Sequence, residues 1–217
     1  MKGVESNRSE RASRVVLLLA LGFPVWISLA WGQALVVATK EGNHSFFFDQ
    51  KRSSISFEAS STLHPVKGKM MLFSGKVALP SMKDRSSGSV ILDIGASSLD
   101  TNHEGRDKKV KGSCLEISRF PSIQFKSIEI RNREKEYSPG QGGRAEVIGL
   151  LDLHGVQKKI LFPVDYTYTT DLLQVKGKVA IKISDFQIPE PKFLFLRVKD
   201  EIKIEFDIQA LRYSNPS

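Results

Sequence analysis

Residues 198–210 read VKDEIKIEFDIQA, and the alternation in this stretch decides the fold class. Ile202, Ile204, Phe206 and Ile208 take one parity; Glu201, Lys203, Glu205 and Asp207 take the other. A period of two with one apolar and one charged set is what a half-buried antiparallel strand requires. Outward from it, Val175, Val179, Ile181 and Ile183 repeat the pattern against Lys176, Lys178 and Lys182, and Ile55, Phe57 and Ala59 do so near the start. Further strands are predicted over 67–79, broken near Phe73-Ser74-Gly75, and over 89–94, 144–153 and 158–168. Along 123–130 the phase slips: Ile123 and Phe125 share a face, Lys126-Ser127 intervene, and Ile128 and Ile130 resume. One extra residue in an alternating run marks a β-bulge, which curves a sheet toward closure.

The connections carry turn chemistry at Pro80-Ser81-Met82, at His154-Gly155 and in the polar loop 132–143, with Pro139-Gly140 and Gly142-Gly143. Only 102–116 departs from the strand pattern. There Val110, Cys114 and Ile117 fall three or four apart, which predicts a short helix packed over one end of the sheet. Asp100 or Thr101 is the expected cap, and Arg106 with Asp107 is expected to pin the helix to the sheet. The predicted fold is all-β: an antiparallel barrel of about eight strands with one short helix. A barrel is preferred to a sandwich because the strands are long and closure removes every edge.

Residues 1–34 read as a targeting segment. Lys2, Arg8, Arg11 and Arg14 precede an apolar run over 15–31, and Ser28/Ala30 or Gly32/Ala34 offer the small pairs a signal peptidase reads. An uncleaved membrane anchor is the competing reading, since the run approaches the ~20 residues that span a bilayer; Pro24 and the small-residue exit favour cleavage. The expected organisation is a leader over 1–34, a lead-in over 35–47, the barrel over 48–210 and a tail over 211–217. Four basic residues and the acids Glu5 and Glu10 leave with the leader, so the net charge falls from +8 to +6. That surplus is dispersed. Lysines at every second place on a strand make a solvated face, without the interleaved aromatics of a nucleic-acid surface. No nucleic-acid partner is expected, and no membrane span once the leader is removed.

Cys114 is the only cysteine, so no intramolecular disulfide can hold an exported fold together. It reads as a small buried hydrophobe. The histidines are His44, His64, His103 and His154, with no metal-ligand spacing among them. There is no G-x-S-x-G, no phosphate-cradling glycine loop and no paired carboxylate run, so neither a metal nor a cofactor is expected. His64 lies in STLHPVKG over 61–68, where a loop histidine beside a proline-fixed turn hydrogen-bonds to backbone.

Several blocks occur in a telling order: SLDTNHEGRDKKVKGSCLEISRFPSIQF over 98–125, GLLDLHGVQKKILFPV over 149–164, ISDFQIP from Ile183, and the final alternating run. Together they resemble the YceI-like family of secreted lipocalin-like barrels, from about Phe48 to Ala210. The resemblance implies a hollow, elongated barrel that binds long isoprenoid lipids. It also implies a periplasmic or secreted location. Many relatives have histidine after the Arg-Asp pair, where this chain has Lys109, and the glycine often found after the late Asp-Phe pair is replaced by Gln187.

A prenyl tail has no hydrogen-bonding groups, so its site must be a continuous apolar tunnel. The inward candidates are Phe57, Phe73, Ile94, Phe125, Leu151, Val164, Ile181, Phe186 and Phe206, each equally suited to a filled core. His64, Arg106 and Lys109 are the head-group candidates at the barrel mouth. The expected function is sequestration of an isoprenoid quinone or polyprenyl phosphate, without catalysis. Two rivals stand beside it. One is a lipid-acting enzyme whose His64 and His154 converge with Asp152 or Asp185; the other is a solid-barrel accessory protein without ligand.

Overall fold

The computed structural model describes residues 44–79, 88–132, 140–190, 192–193 and 196–212. The leader and its cleavage region lie outside the described residues. Twelve strand segments form the sheet: β1 His44–Phe48, β2 Ser54–Ser61, β3 Val66–Met70, β4 Phe73–Leu79, β5 Ser89–Gly95, β6 Leu99–Asp100, β7 Ser122–Asn132, β8 Gln141–Leu153, β9 Val156–Tyr168, β10 Leu172–Lys182, β11 Lys192–Phe193 and β12 Leu196–Arg212. Helix α1 spans Glu104–Lys109 and widens into a π turn over Val110–Cys114.

Register reduces these segments to eight staves. β1 and β2 lie on the same edge of β12, through Phe48↔Ala210 and Ile55↔Phe206, so they form one interrupted strand. β3 with β4 and β5 with β6 do likewise, paired along β2/β1 and along each other. β7, β8, β9, β10 and β12 then follow by antiparallel neighbours, and β12 returns to β1/β2. The result is a closed eight-stranded antiparallel barrel, as the alternation predicts; β11 is a short appendage on β12.

The interruption expected at Phe73-Ser74-Gly75 falls instead at Met71-Leu72. Phe73 is already in β4, opposite Ile94. The neighbouring strand breaks at the same level, in the 3-10 turn Ala96–Ser98. Met71 N–H donates to the Ser98 carbonyl and Gly95 N–H to that of Leu72. The bulge on β7 is present, between Ser127 and Glu129. Ile128 is the extra residue and points outward, while Ile130 returns to the inward set.

Helix α1 is not capped by Asp100 or Thr101. His103 is extended at the N-cap, and its Nδ1 accepts from Arg106 N–H at 3.2 Å. Asp100 is spent on a local turn, accepting from Asn102 N–H at 2.7 Å. Thr101 is spent on Arg106 and Asp107. Ile117 falls past the helix, in the turn that leads to β7.

Candidate ligand-binding cavity

Chain direction sorts the connections to two ends. The β2–β3 hairpin, the segment from Thr101 to Pro121, the His154-Gly155 hairpin and the turn after β10 gather at one end, here the helix end. The β9–β10 turn and both described chain ends gather at the other. That second end is filled: Phe46, Leu79, Tyr168, Leu173 and Ala210 are buried together, with Phe46 edge-on to Tyr168 at 5.8 Å.

Between the two lies one cavity of about 290 Å³. A water needs only ~10–15 Å³ on such a measure, so the barrel is hollow. β12 lines it from Val198 to Ala210, which is about 40 Å of strand, or roughly 30 Å along the axis at the tilt of small barrels. Aliphatic and phenylalanine side chains make the wall; Thr101, Arg106 and Cys114 are the polar or ionisable exceptions, all at the helix end.

The lumen stays open although five phenylalanines line it. Four of them lie across glycines. Phe57 sits opposite Gly68 and Phe206 opposite Gly177, while Phe125 covers Gly149 and Phe48 covers Gly75. A Cβ at any of these glycines would come within 2.3–2.5 Å of a ring carbon, so each ring lies flat on the wall where a larger neighbour would tip it inward. Phe162, the fifth, packs against Phe125 and Phe206 at 5.5 and 5.8 Å.

Of the nine tunnel candidates, Phe57, Ile94, Phe125, Leu151, Val164, Ile181 and Phe206 line the cavity. Phe73 and Phe186 are buried outside its lining, Phe73 beside Ile55 and Met70, Phe186 under the turn after β10. Phe48, Leu92, Val147, Ile160, Phe162 and Ile204 line it as well and are not among the sequence candidates. Parity was the available signal: Phe162 and Ile160 share the phase of Val164, and Ile204 that of Phe206.

At the helix end, Arg106 reaches the cavity, while His64 and Lys109 are exposed and do not line it. Arg106 and Asp107 meet through Thr101, not directly. Arg106 Nε donates to Thr101 Oγ1 and Nη2 to the Thr101 carbonyl, both at 2.7 Å. The Thr101 hydroxyl in turn donates to Asp107 Oδ1, which also accepts Thr101 N–H at 3.1 Å. Asp107 and Thr101 are both buried, so this chain of charge-assisted bonds fixes the guanidinium at the rim of the lumen. Above it the π turn directs Val110, Cys114 and Leu115 into the cavity; burial pushes the Cys114 thiol up, with Lys109 pulling it partly back.

The side wall has a seam between β9 and β10. β9 and β10 pair only from Tyr168↔Leu173 to Val164↔Gly177. Beyond that the 3-10 turn Ile183–Phe186 packs against β9, β10 and β12, and Ile183 and Ile188 complete the lining. Two polar anchors hold this strap. Asp200 accepts from Ser184 N–H at 2.8 Å and from its hydroxyl at 2.7 Å, and these bonds hold its carboxyl below the usual range. His154 Nδ1 lies 3.1 Å from the Phe186 carbonyl, with Nε2 2.8 Å from Glu116 Oε2. Glu116 is held low first by the hydrogen bond from Arg119 and then by that from His154.

The enzyme rival required His64 and His154 to meet Asp152 or Asp185. His154 is instead engaged by Glu116 and a backbone carbonyl, and His64 is exposed on its hairpin. Among the described residues no three His, Cys, Asp or Glu side chains gather as a metal site, and no helix is long and apolar enough to cross a membrane.

Comparison with known proteins agrees with this architecture. A Pseudomonas aeruginosa protein of the UPF0312 group is 26% identical over 210 residues, covering 92% of this chain and 98% of the relative. A Yersinia pestis protein of the same group is 30% identical over 150 residues, covering 68% and 69%. Among solved structures, BcnA of Burkholderia cenocepacia superposes with a TM-score of 0.64 at 22% identity, over 75% of this chain and 99% of its own. A polyisoprenoid-binding domain from Saccharophagus degradans gives 0.63 at 14% identity, over 77% and 98%. At such identities the superpositions speak to fold alone. The model of the YceI-like domain matches residues 46–210, most of the chain, and the protein belongs to the YceI-like family.

Proposed function

We propose that this protein is an exported carrier that sequesters an amphiphile with a long isoprenoid tail, an isoprenoid quinone or a polyprenyl phosphate, and performs no reaction on it. The observation that carries the reading is the lumen: a cavity walled by hydrocarbon, lined by β12 from Val198 to Ala210, a strand span of roughly 30 Å along the axis, with its polar groups confined to one end. A prenyl tail is the complementary object. Each buried CH₂ contributes about 0.8 kcal/mol, so the tail alone supplies affinity without a charged contact. The solved polyisoprenoid-binding domain of the same fold supports the same class of ligand. Arg106 is the head-group contact, because it is the cation at the lumen and its anchors on Thr101 leave guanidinium N–H groups for an oxygen acceptor.

The test is a titration of delipidated protein with prenyl quinones and prenyl phosphates of increasing tail length. Affinity should climb with length until the lumen is filled and then level off. An Arg106→Gln variant should weaken the phosphate series about tenfold, the equivalent of one charge-assisted hydrogen bond, and leave a headless prenyl hydrocarbon unchanged. Affinity that ignores tail length would defeat the carrier reading.

A further inference from the structure

Both ends of the lumen are occupied. Phe46, Leu79, Tyr168 and Leu173 fill one of them. Across the other lie α1 and the π turn, with Val110, Cys114 and Leu115 directed inward and the buried Thr101 and Asp107 tying the helix down. Lifting that cover would strand two buried polar groups, which disfavours the helix end as a way in.

The side wall differs along one line. Parting two neighbouring staves breaks a backbone ladder, but between the helix-end halves of β9 and β10 there is no ladder to break. β9 stays paired to β8 as far as Val156, and β10 to β12 as far as Lys182. Their own pairing stops at Val164↔Gly177. The next residue of β9 is Pro163, which has no N–H to offer a ladder. Residues 178–182 of β10 therefore face β9 across a seam of about 17 Å of strand. The lumen lies directly behind it, because Ile160 and Phe162 on one side and Val179 and Ile181 on the other all line the cavity.

The strap closes this seam. Ile183 and Ile188 supply the missing wall, and Phe186 is buried with them. The strap's backbone bonds run within it, from Gln187 N–H to the Ser184 carbonyl and from Ile188 N–H to that of Ile183, both at 3.1 Å. It is thus a self-contained turn, able to move as a unit. Among the described residues its hydrogen bonds to the barrel are those of Ser184 to Asp200 and that of the Phe186 carbonyl with His154. Neither partner belongs to β9 or β10, so the strap can swing out without disturbing either strand. Opening exposes three apolar side chains, which keeps the strap shut at rest; a prenyl tail in the gap covers the same surface in their place.

We propose that the strap 183–188 gates a lateral portal between β9 and β10, through which the prenyl tail enters and leaves the lumen. The portal rests on the carrier reading above. Helix α1 stays in place throughout, so Arg106 is already set when the tail arrives.

A reversible lock on the strap tests the route. Ser184 Oγ and Asp200 Oδ2 are 2.7 Å apart, so Ser184→Cys with Asp200→Cys, in a Cys114→Ala background, places two thiols across the anchor. The probe is menaquinone-4, transferred from phosphatidylcholine vesicles to the delipidated protein and back, and quantified by mass spectrometry after filtration. The oxidised protein should exchange the probe at least tenfold more slowly than the same protein reduced, with an equal load at equilibrium. Asp200→Ala, which frees one anchor, should exchange at least threefold faster than the parent and decides alone if the disulfide does not form. Equal rates in the oxidised and reduced forms, or an Asp200→Ala rate equal to the parent's, overturn the portal and leave the carrier reading standing. A parent and variants that take up no probe overturn the carrier reading and the portal with it.

Discussion

Asp107 shows how much one side chain holds at the helix end. It is buried and accepts both the backbone and the hydroxyl of Thr101, which in turn fixes Arg106. Asp107→Ala should cost about 1–3 kcal/mol, because it strands a buried N–H and a hydroxyl, while tail affinity measured well below the melting point changes little. A variant that melts like the parent but no longer binds would reverse that assignment. Gly177 makes the opposite kind of prediction. Its Cβ would meet the Phe206 ring at 2.4 Å, so Gly177→Ala should tip the ring into the lumen and shorten the longest tail accepted. Mass spectrometry of bound lipid reads that change, and an unaltered tail distribution would refute it. Glu116 carries a pH signature. Its folded carboxyl is held below the ordinary 4.5, so its contribution to stability is present above that value and lost as the pH falls through the depressed one. Glu116→Gln should therefore lose stability at neutral pH and show a shallower acid limb below about pH 4.5 in urea melts.

The elements were legible in unequal measure, and the reasons are physical. β10 and β12 stand out in the sequence because one face meets hydrocarbon and the other water, which writes a period of two into the residues. The β7 bulge was legible for the same reason, as a slip in that period. The break at Met71-Leu72 was not, because it is set by the neighbouring strand: the 3-10 turn at Ala96–Ser98 forces both staves to open at one level. The cap on α1 is not legible, because Asp100 and Thr101 are good caps by type, yet each is committed elsewhere and His103 takes the place. Lumen residues could be read only by parity, and parity cannot separate a lining residue such as Ile181 from a buried one such as Phe73. The strap after β10 gave no sequence signal as a wall, since its role comes from where β9 and β10 part. His154→Ala should release it. The expected loss is about 1–3 kcal/mol, with faster amide exchange across 183–188 than in β12; uniform exchange would mean the latch is elsewhere.

At the scale of the molecule, the fold divides its labour by end and by face. Aromatic packing of Phe46 on Tyr168 seals one end, the Thr101–Arg106–Asp107 chain sets the polar rim at the other, and phenylalanines laid on glycines keep the space between them open. Export is part of the same account: terminal sequencing of the exported protein should find a mature start between Trp31 and Thr39, and an intact Met1 would oppose it. The central claim is that the lumen holds a prenyl chain. Native mass spectrometry of protein taken from its own compartment, beside an Ile181→Trp variant, tests it most directly. The account predicts one prenyl lipid per barrel in the parent and a shorter tail in the folded Trp variant, whose indole occupies part of the lumen. A parent that carries no lipid, and takes up none from a mixture of prenyl quinones and prenyl phosphates, would contradict it.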